Sequence, residues 1–279
     1  MSAQANPARA AAHPLRNISF SDPAVAIERR SDGTIYLRPK APLGDFPDRI
    51  TDRLHHWATA TPDNVFMAER VADGGWRKLT YAELLDASRH IASALLARGL
   101  SAEKPVMILS GNSIDHALIA FGALYAGIPF CPVSSAYSLI SKDYGKLSYV
   151  IKLLTPGLIF ADDADKFGNA LAANVPAGVE VAATSGAVPG CEVTRLADLL
   201  KTPLNQNLDA AHENIGPDSI AKFLLTSGST GNPKAVINTQ RMICANQVMI
   251  RETMAFLKDE PPVIVDWLPW NHTFGGNHN

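Results

Sequence analysis

The sequence predicts an α/β protein in which mostly parallel sheets are flanked by helices. Two observations lead there. Short apolar runs (VMIL at 106–109, IPFCPV at 128–133, GLIFA at 157–161, then 179–183) alternate with helical segments. Strands separated by helices of roughly 10 to 15 residues are joined by crossovers, and such crossovers cover a parallel sheet on both faces. The composition agrees: 47% of the 279 residues are apolar and 19% charged, against about a quarter charged in an average soluble protein, so the chain can bury a sizeable core.

The elements follow in order. Residues 65–70 (VFMAER) and 76–79 (WRKL) read as a hairpin around Asp73-Gly74-Gly75. Thr80 and Glu83 have capping-box spacing and open a helix with the stripe Leu84, Ser88, Ile91, Ala92, Leu95; Gly99 stops it. After VMIL a helix spans 113–125. A later helix carries Leu147, Val150, Ile151 and Leu154 at helical spacing. GLIFA is a strand, 165–174 a short helix, 179–183 a strand and KFLL (222–225) another. Met242, Ala245, Met249 and Phe256 are expected as the buried face of a last helix.

Composition also excludes function classes. With 25 basic and 27 acidic side chains the net charge is −2, which argues against a nucleic-acid binder. Cys131, Cys191 and Cys244 are odd in number and have no C-x-x-C spacing, so neither a disulfide framework nor a zinc ribbon is expected and a reducing, cytoplasmic setting fits. The first 16 residues lack an apolar secretory core. They read as a flexible tail, with a transit peptide as the alternative, because no acidic residue precedes Asp22. The uncharged stretch 117–141 is long enough for a bilayer, but its glycines, prolines and serines read as a buried helix and strand. No membrane partner is expected. No G-x-S-x-G elbow supports a serine hydrolase. His272 and His278 have no Cys, Asp or Glu beside them to complete a metal site.

One loop carries the chemistry. After KFLL comes Thr226-Ser227-Gly228-Ser229-Thr230-Gly231-Asn232-Pro233-Lys234: four hydroxyls, two glycines and a lysine in nine positions. Glycines let backbone amides approach phosphate oxygens, successive amides can form an anion nest, and lysine adds a mobile point charge. The string is not a Walker loop, because Asn232-Pro233 separates Gly231 from Lys234.

TSGSTGNPK resembles the phosphate-binding signature of the adenylate-forming superfamily, which includes acyl- and aryl-CoA synthetases, luciferases and peptide-synthetase adenylation domains. Three further places agree in order: LTYAEL at 79–84 with L-T-Y-x-E-L, AGIPFCPV at 126–133 with A-G-x-x-x-x-P-V, and LPWNHTFG at 268–275 with L-P-x-x-H-x-F/Y-G. The strings LSGNSIDHAL, SSAYSLISKDYGKL, AVINTQRMICAN and DWLPWNHTFGGNHN are similar to feruloyl-CoA synthases in particular. Ala235, where most superfamily members have glycine, and Gln240, where many have histidine, fit that narrower branch.

The resemblance implies a two-step ligase using ATP, Mg²⁺ and CoA on an aromatic acid such as ferulate, coumarate or caffeate. It implies that Thr226, Ser227, Gly228, Ser229, Thr230, Gly231 and Lys234 hold the phosphates, with Thr230 near Mg²⁺. It implies that Trp270, His272 and Phe274 border the acid, His272 orienting the carboxylate or acting as a gate. Another acid, or a nucleotide-binding module without catalysis, are the alternatives. The expected organisation is an N-terminal extension over 1–45, a first α/β lobe over 46–200, a linker over 201–218 and the start of a second lobe over 219–279. Superfamily members run to about twice this length by resemblance. The chain is therefore expected to be the N-terminal part of the large domain, without the small C-terminal domain and its adenylation lysine, and to have little ligase activity alone.

Overall fold

A computed structural model describes residues 18–22, 24–227 and 231–278. The chain divides into a smaller unit, comprising residues up to 45 and 247–264, and a larger one of 46–246 and 265–279. In the smaller unit β1 (Val25–Arg29) and β2 (Ile35–Pro39) pair antiparallel. Ser21 N donates to the Thr253 carbonyl at 3.1 Å, and the rings of Phe20 and Phe256 meet edge to face at 5.8 Å.

The larger unit opens with α1 (Thr51–Ala60) and the hairpin of β3 (Val65–Arg70) and β4 (Trp76–Thr80). Gly74 turns the hairpin at φ +84°, where a side chain would be strained. Helix α2 (Tyr81–Ala97) starts on a complete capping box: Glu83 N donates to Thr80 Oγ1 at 3.2 Å and Thr80 N to Glu83 Oε2 at 2.8 Å. Its expected stripe from Leu84 to Leu95 is buried. Then follow β5 (Val106–Leu109), α3 (Ile114–Ala126), β6 (Phe130–Pro132), α4 (Ala136–Leu139), α5 (Gly145–Leu154), β7 (Leu158–Asp163), α6 (Ala164–Asn174), β8 (Glu180–Ser185), β9 (Val193–Arg195), α7 (Leu196–Leu199) and α8 (Leu208–Glu213). The chain continues through β10 (Ile220–Ser227), β11 (Pro233–Thr239) and α9 (Gln240–Thr253).

Seven strands form one sheet in the order β11-β10-β6-β5-β7-β8-β9, parallel throughout except for the β10–β11 pair. Successive side chains of a strand face opposite sides, and the core is divided accordingly. Val106 and Ile108 of β5 join Leu158 and Phe160 of β7 on one face with α2 and α3; Met107 and Leu109 join Ile159 and Ala161 on the other with α5 and α6. This is the fold class the alternation of apolar runs and helices predicts.

Three details differ from the sequence reading. Residues 201–218, read as a linker, contain α8, whose Leu208 is buried, and Ile215 beyond it is buried too. Strands β10 and β11 join the same sheet as β5 and β6 rather than opening another. In α9, Cys244 and Val248 are buried, whereas Met242 and Met249 are about half exposed and Phe256 lies beyond the helix. Both pairs share helical spacing, so the pattern alone could not choose the face.

Candidate nucleotide and acid site

Because the strands are parallel, β5, β6, β7 and β10 all end at one edge of the sheet, and β5 lies between strands reached by crossovers in opposite directions. Ligands of open α/β sheets bind outside such carboxyl ends. The edge is stitched together: Gly111 N, just beyond β5, donates to Asp162 Oδ2 of β7 at 3.3 Å, and Ser135 Oγ, after β6, donates to the Ser110 carbonyl at 3.5 Å.

The segment 266–276 docks on this edge. Asn112 grips it with one side chain: its Nδ2 donates to the Leu268 carbonyl at 2.8 Å and its Oδ1 accepts from Trp270 N at 3.1 Å. Asp266 accepts from Leu268 N and from Trp270 Nε1. The segment then folds back on itself, with His272 N donating to the Pro269 carbonyl and Gly276 N to the His272 carbonyl. A Cβ on Gly275 would overlap the Pro269 carbonyl, and one on Gly276 would lie 2.5 Å from the Trp270 carbonyl, so both positions need glycine.

Helix α3 presents His116 to this segment. Ser113 Oγ caps the helix by accepting from His116 N at 3.1 Å, and Asp115 in the first turn accepts from Arg77 Nη2 at 2.7 Å and Thr184 Oγ1 at 2.9 Å. The His116 ring meets Trp270 edge to face at 5.1 Å. Its Nδ1 lies 3.1 Å from the Gly111 carbonyl, which can only accept, and 2.8 Å from Ser110 Oγ. Burial pulls its pKa down to about 4, so the imidazole is neutral at pH 7.

Underneath, the buried Lys222 of β10 donates from Nζ to the Gly276 carbonyl. Asn277 Nδ2 donates to Asn238 Oδ1 of β11 at 2.9 Å, and Asn246 Nδ2 of α9 to the Asn277 carbonyl at 2.7 Å.

The nine-residue string connects β10 to β11. The antiparallel register sets Thr226 opposite Lys234 and Ser227 opposite Pro233, so the two ends of the nine-residue string are cross-strand neighbours. Gly231 turns at φ +86°. Gly228, Ser229 and Thr230 lie outside the described residues. Lys234 is exposed, and among the described residues no carboxylate pairs with it. Asn232 borders an open cleft of about 500 Å³ lined also by Tyr137, Ser141 and Lys146. Strand β11 intervenes between the loop and helix α9, which the sequence did not suggest.

Of the residues expected to border the acid, Trp270 is half-buried under His116, while His272 and Phe274 are exposed. His272 Nδ1 accepts from Phe274 N at 3.3 Å. Gln240 is buried, and its Oε1 accepts from Ile50 N at 3.0 Å, fastening the start of α9 to the turn before α1. Sequence reasoning missed Asn112, His116 and Lys222. A lysine inside an apolar strand was a readable signal for the last; the first two depend on which segments meet. Among the described residues no group of three His, Cys, Asp or Glu is gathered as metal ligands, and no helix is long and apolar enough to cross a membrane.

Comparison with known proteins matches residues 54–278 to a family described as AMP-binding enzyme. A salicylyl-CoA synthase / salicylate adenylyltransferase from Streptomyces sp is 28% identical over 240 residues, covering 84% of this chain and 40% of that protein. An octahydro-indenyl propanoyl:CoA ligase from Rhodococcus jostii is 26% identical over 237 residues, covering 78% of this chain and 44% of the relative. The chain thus spans less than half the length of these curated relatives. Among solved structures, the adenylation domain of a keto acid-selecting NRPS module bound to keto acyl adenylate superposes with a TM-score of 0.64 at 22% identity, over 85% of this chain and 40% of that one. That likeness speaks for the fold alone.

Proposed function

The chain belongs to the AMP-binding enzyme family, and from this we propose that it carries the phosphate and acid sites of an ATP-dependent acid–CoA ligase acting on a hydroxycinnamate such as ferulate, coumarate or caffeate. In the first step a carboxylate oxygen attacks the α-phosphorus of ATP, the bond to the bridging oxygen breaks, and pyrophosphate leaves. In the second the thiol sulfur of CoA attacks the acyl carbon, AMP leaves, and the thiol proton passes to solvent. A free carboxylate is a poor electrophile, and adenylation gives it a good leaving group.

The observation that carries the reading is the register of the β10–β11 hairpin, with Thr226 opposite Lys234 at the mouth of a Ser/Thr/Gly loop. An exposed lysine without a carboxylate partner among the described residues has its charge available for the β- and γ-phosphates, and the hydroxyls of Thr226, Ser227, Ser229 and Thr230 add donors. These groups suit a polyphosphate and offer no carboxylate cage for a metal. Mg²⁺ carried on the phosphate oxygens would add positive charge, with Thr230 the hydroxyl offered to it. With Nδ1 of His272 accepting from Phe274 N, its Nε2 is the ring nitrogen left to carry an N–H, which would donate a hydrogen bond to the acid's carboxylate. Trp270 and Phe274 supply apolar ring faces suited to an aromatic acid.

Two measurements test the proposal. Isothermal titration of the chain with ATP and Mg²⁺ should give saturable binding that Lys234→Ala weakens about tenfold or more, the loss of one charge-assisted contact. Pyrophosphate release by the complete gene product should favour ferulate, coumarate or caffeate over benzoate and a medium-chain fatty acid. Preference for benzoate or the fatty acid would retain the ligase and reject the hydroxycinnamate; ATP binding indifferent to Lys234→Ala would reject the phosphate site.

A further inference from the structure

Lys222 stands apart from the machinery proposed above. It lies in β10, beside Phe130 of β6 in register, and is 7% exposed. Its Nζ donates to the carbonyl of Gly276, and among the described residues no carboxylate pairs with it. The lysine's charge opposes protonation of His116 of α3. Burial pulls the lysine down to about 8, so it is mostly an ammonium at pH 7. A cation taken from water and given one neutral acceptor lowers stability, and an apolar side chain of similar length would fill the place at less cost.

The contact it makes is specific. Gly276 closes the acid-pocket segment, and four residues after Lys222 the same strand delivers Thr226 to the phosphate loop. At about 3.3 Å per residue these points are roughly 13 Å apart along one rigid strand. We propose that Lys222 is a positioning residue that ties the acid-pocket segment, residues 268–276, to the strand carrying the phosphate loop, so that nucleotide and acid are held on a common support. The nucleotide and acid in this statement rest on the function proposed above; the tie itself does not.

Hydrogen exchange read by mass spectrometry tests it on the chain, as wild type, Lys222→Met and Lys222→Arg at pH 7. Loss of the tie should speed exchange in the peptide spanning residues 265–278 about tenfold in Lys222→Met, while the β5 and β7 peptides stay within about twofold and Tm is unchanged or higher. Lys222→Arg, which keeps a cationic donor, should restore part of the protection. Unchanged exchange in Lys222→Met, or exchange accelerated throughout the chain with a lowered Tm, would overturn the proposal. A second arm adds ATP and Mg²⁺. Nucleotide should slow exchange of the 265–278 peptide in the wild type and leave it unaffected in Lys222→Met, with ATP affinity within about threefold. Equal slowing in both would refute the coupling. Failure of the wild type to bind ATP would count against the proposed function, and the ligand-free comparison would still decide the tie.

Discussion

At His116 the imidazole is enclosed between the end of β5 and Trp270, and burial holds its pKa near 4 against about 6.5 in an unfolded chain. Between those values the unfolded chain takes up a proton that the folded one refuses, so stability is fully present above pH 6.5 and declines as the pH falls toward 4. For a group so fully enclosed the loss is about 3 kcal/mol. His212, stacked on Tyr125 at 4.2 Å, is likewise lowered to about 4 by burial and then by Arg49, and adds to the same slope. Urea unfolding of the wild type should therefore weaken between pH 6.5 and 4, and His116→Phe, which keeps a ring against Trp270, should flatten part of that decline. An unaltered slope in the variant would mean that His116 titrates normally. At this scale the sequence was informative where chemistry is local. The hydroxyls, glycines and lysine of the nine-residue string are the groups an anion would need, and they are legible without any neighbour. Asn112 gave no such signal, because its value lies in meeting Leu268 and Trp270 more than 150 positions away.

Helices and strands were legible where a local device specifies them. The box of Thr80 and Glu83 opens α2 and the left-handed Gly99 follows its end, as the sequence places them, and α3 lies within a residue of the expected 113–125. Strands β1, β2, β9 and β11 were not read, nor were α1, α4, α7 and α8. Most are short, and the four exposed apolar side chains of the β1–β2 hairpin (Val25, Ile27, Ile35, Leu37) do not mark one buried face. One inter-element contact was beyond any periodicity argument. Gly122 of α3 faces Ile91 of α2 so closely that an added Cβ would overlap the isoleucine side chain. Ile91 is fully buried and cannot swing out, so the helices must separate or Ile91 must leave its rotamer. Gly122→Ala should destabilise by about 1–3 kcal/mol despite the better helix propensity of alanine. Chemical denaturation would show it, and a neutral or stabilising result would mean that α2 and α3 pack less tightly than described.

Across the larger unit, the seven-stranded sheet gathers the ends of β5, β6, β7 and β10 at one edge, and both candidate subsites are built there from segments remote in sequence. The parallel sheet was legible because its strands are apolar on both faces; that β10 and β11 extend it was not, because KFLL and PKAVINT carry no marker of their neighbours. This arrangement has a thermodynamic consequence. The loop proposed to hold the phosphates connects β10 to β11, a pair at one end of the strand order, so a ligand that binds the loop only when Thr226 faces Lys234 binds the folded sheet and not the unfolded chain. At about 100 times its Kd such a ligand adds about 2.7 kcal/mol of stability. In a chain of this size each kcal/mol raises Tm by about 2–4 °C, so saturating ATP with Mg²⁺ should raise it by roughly 5–10 °C, with Mg²⁺ alone as the control. Lys234→Ala, binding about tenfold more weakly, should cut that shift to about half at the same ATP concentration, since a ligand at about 10 times its Kd adds about 1.4 kcal/mol, and its Tm without ligand should match the wild type, the lysine being exposed. A shift of equal size in both proteins would place nucleotide binding elsewhere than the β10–β11 loop.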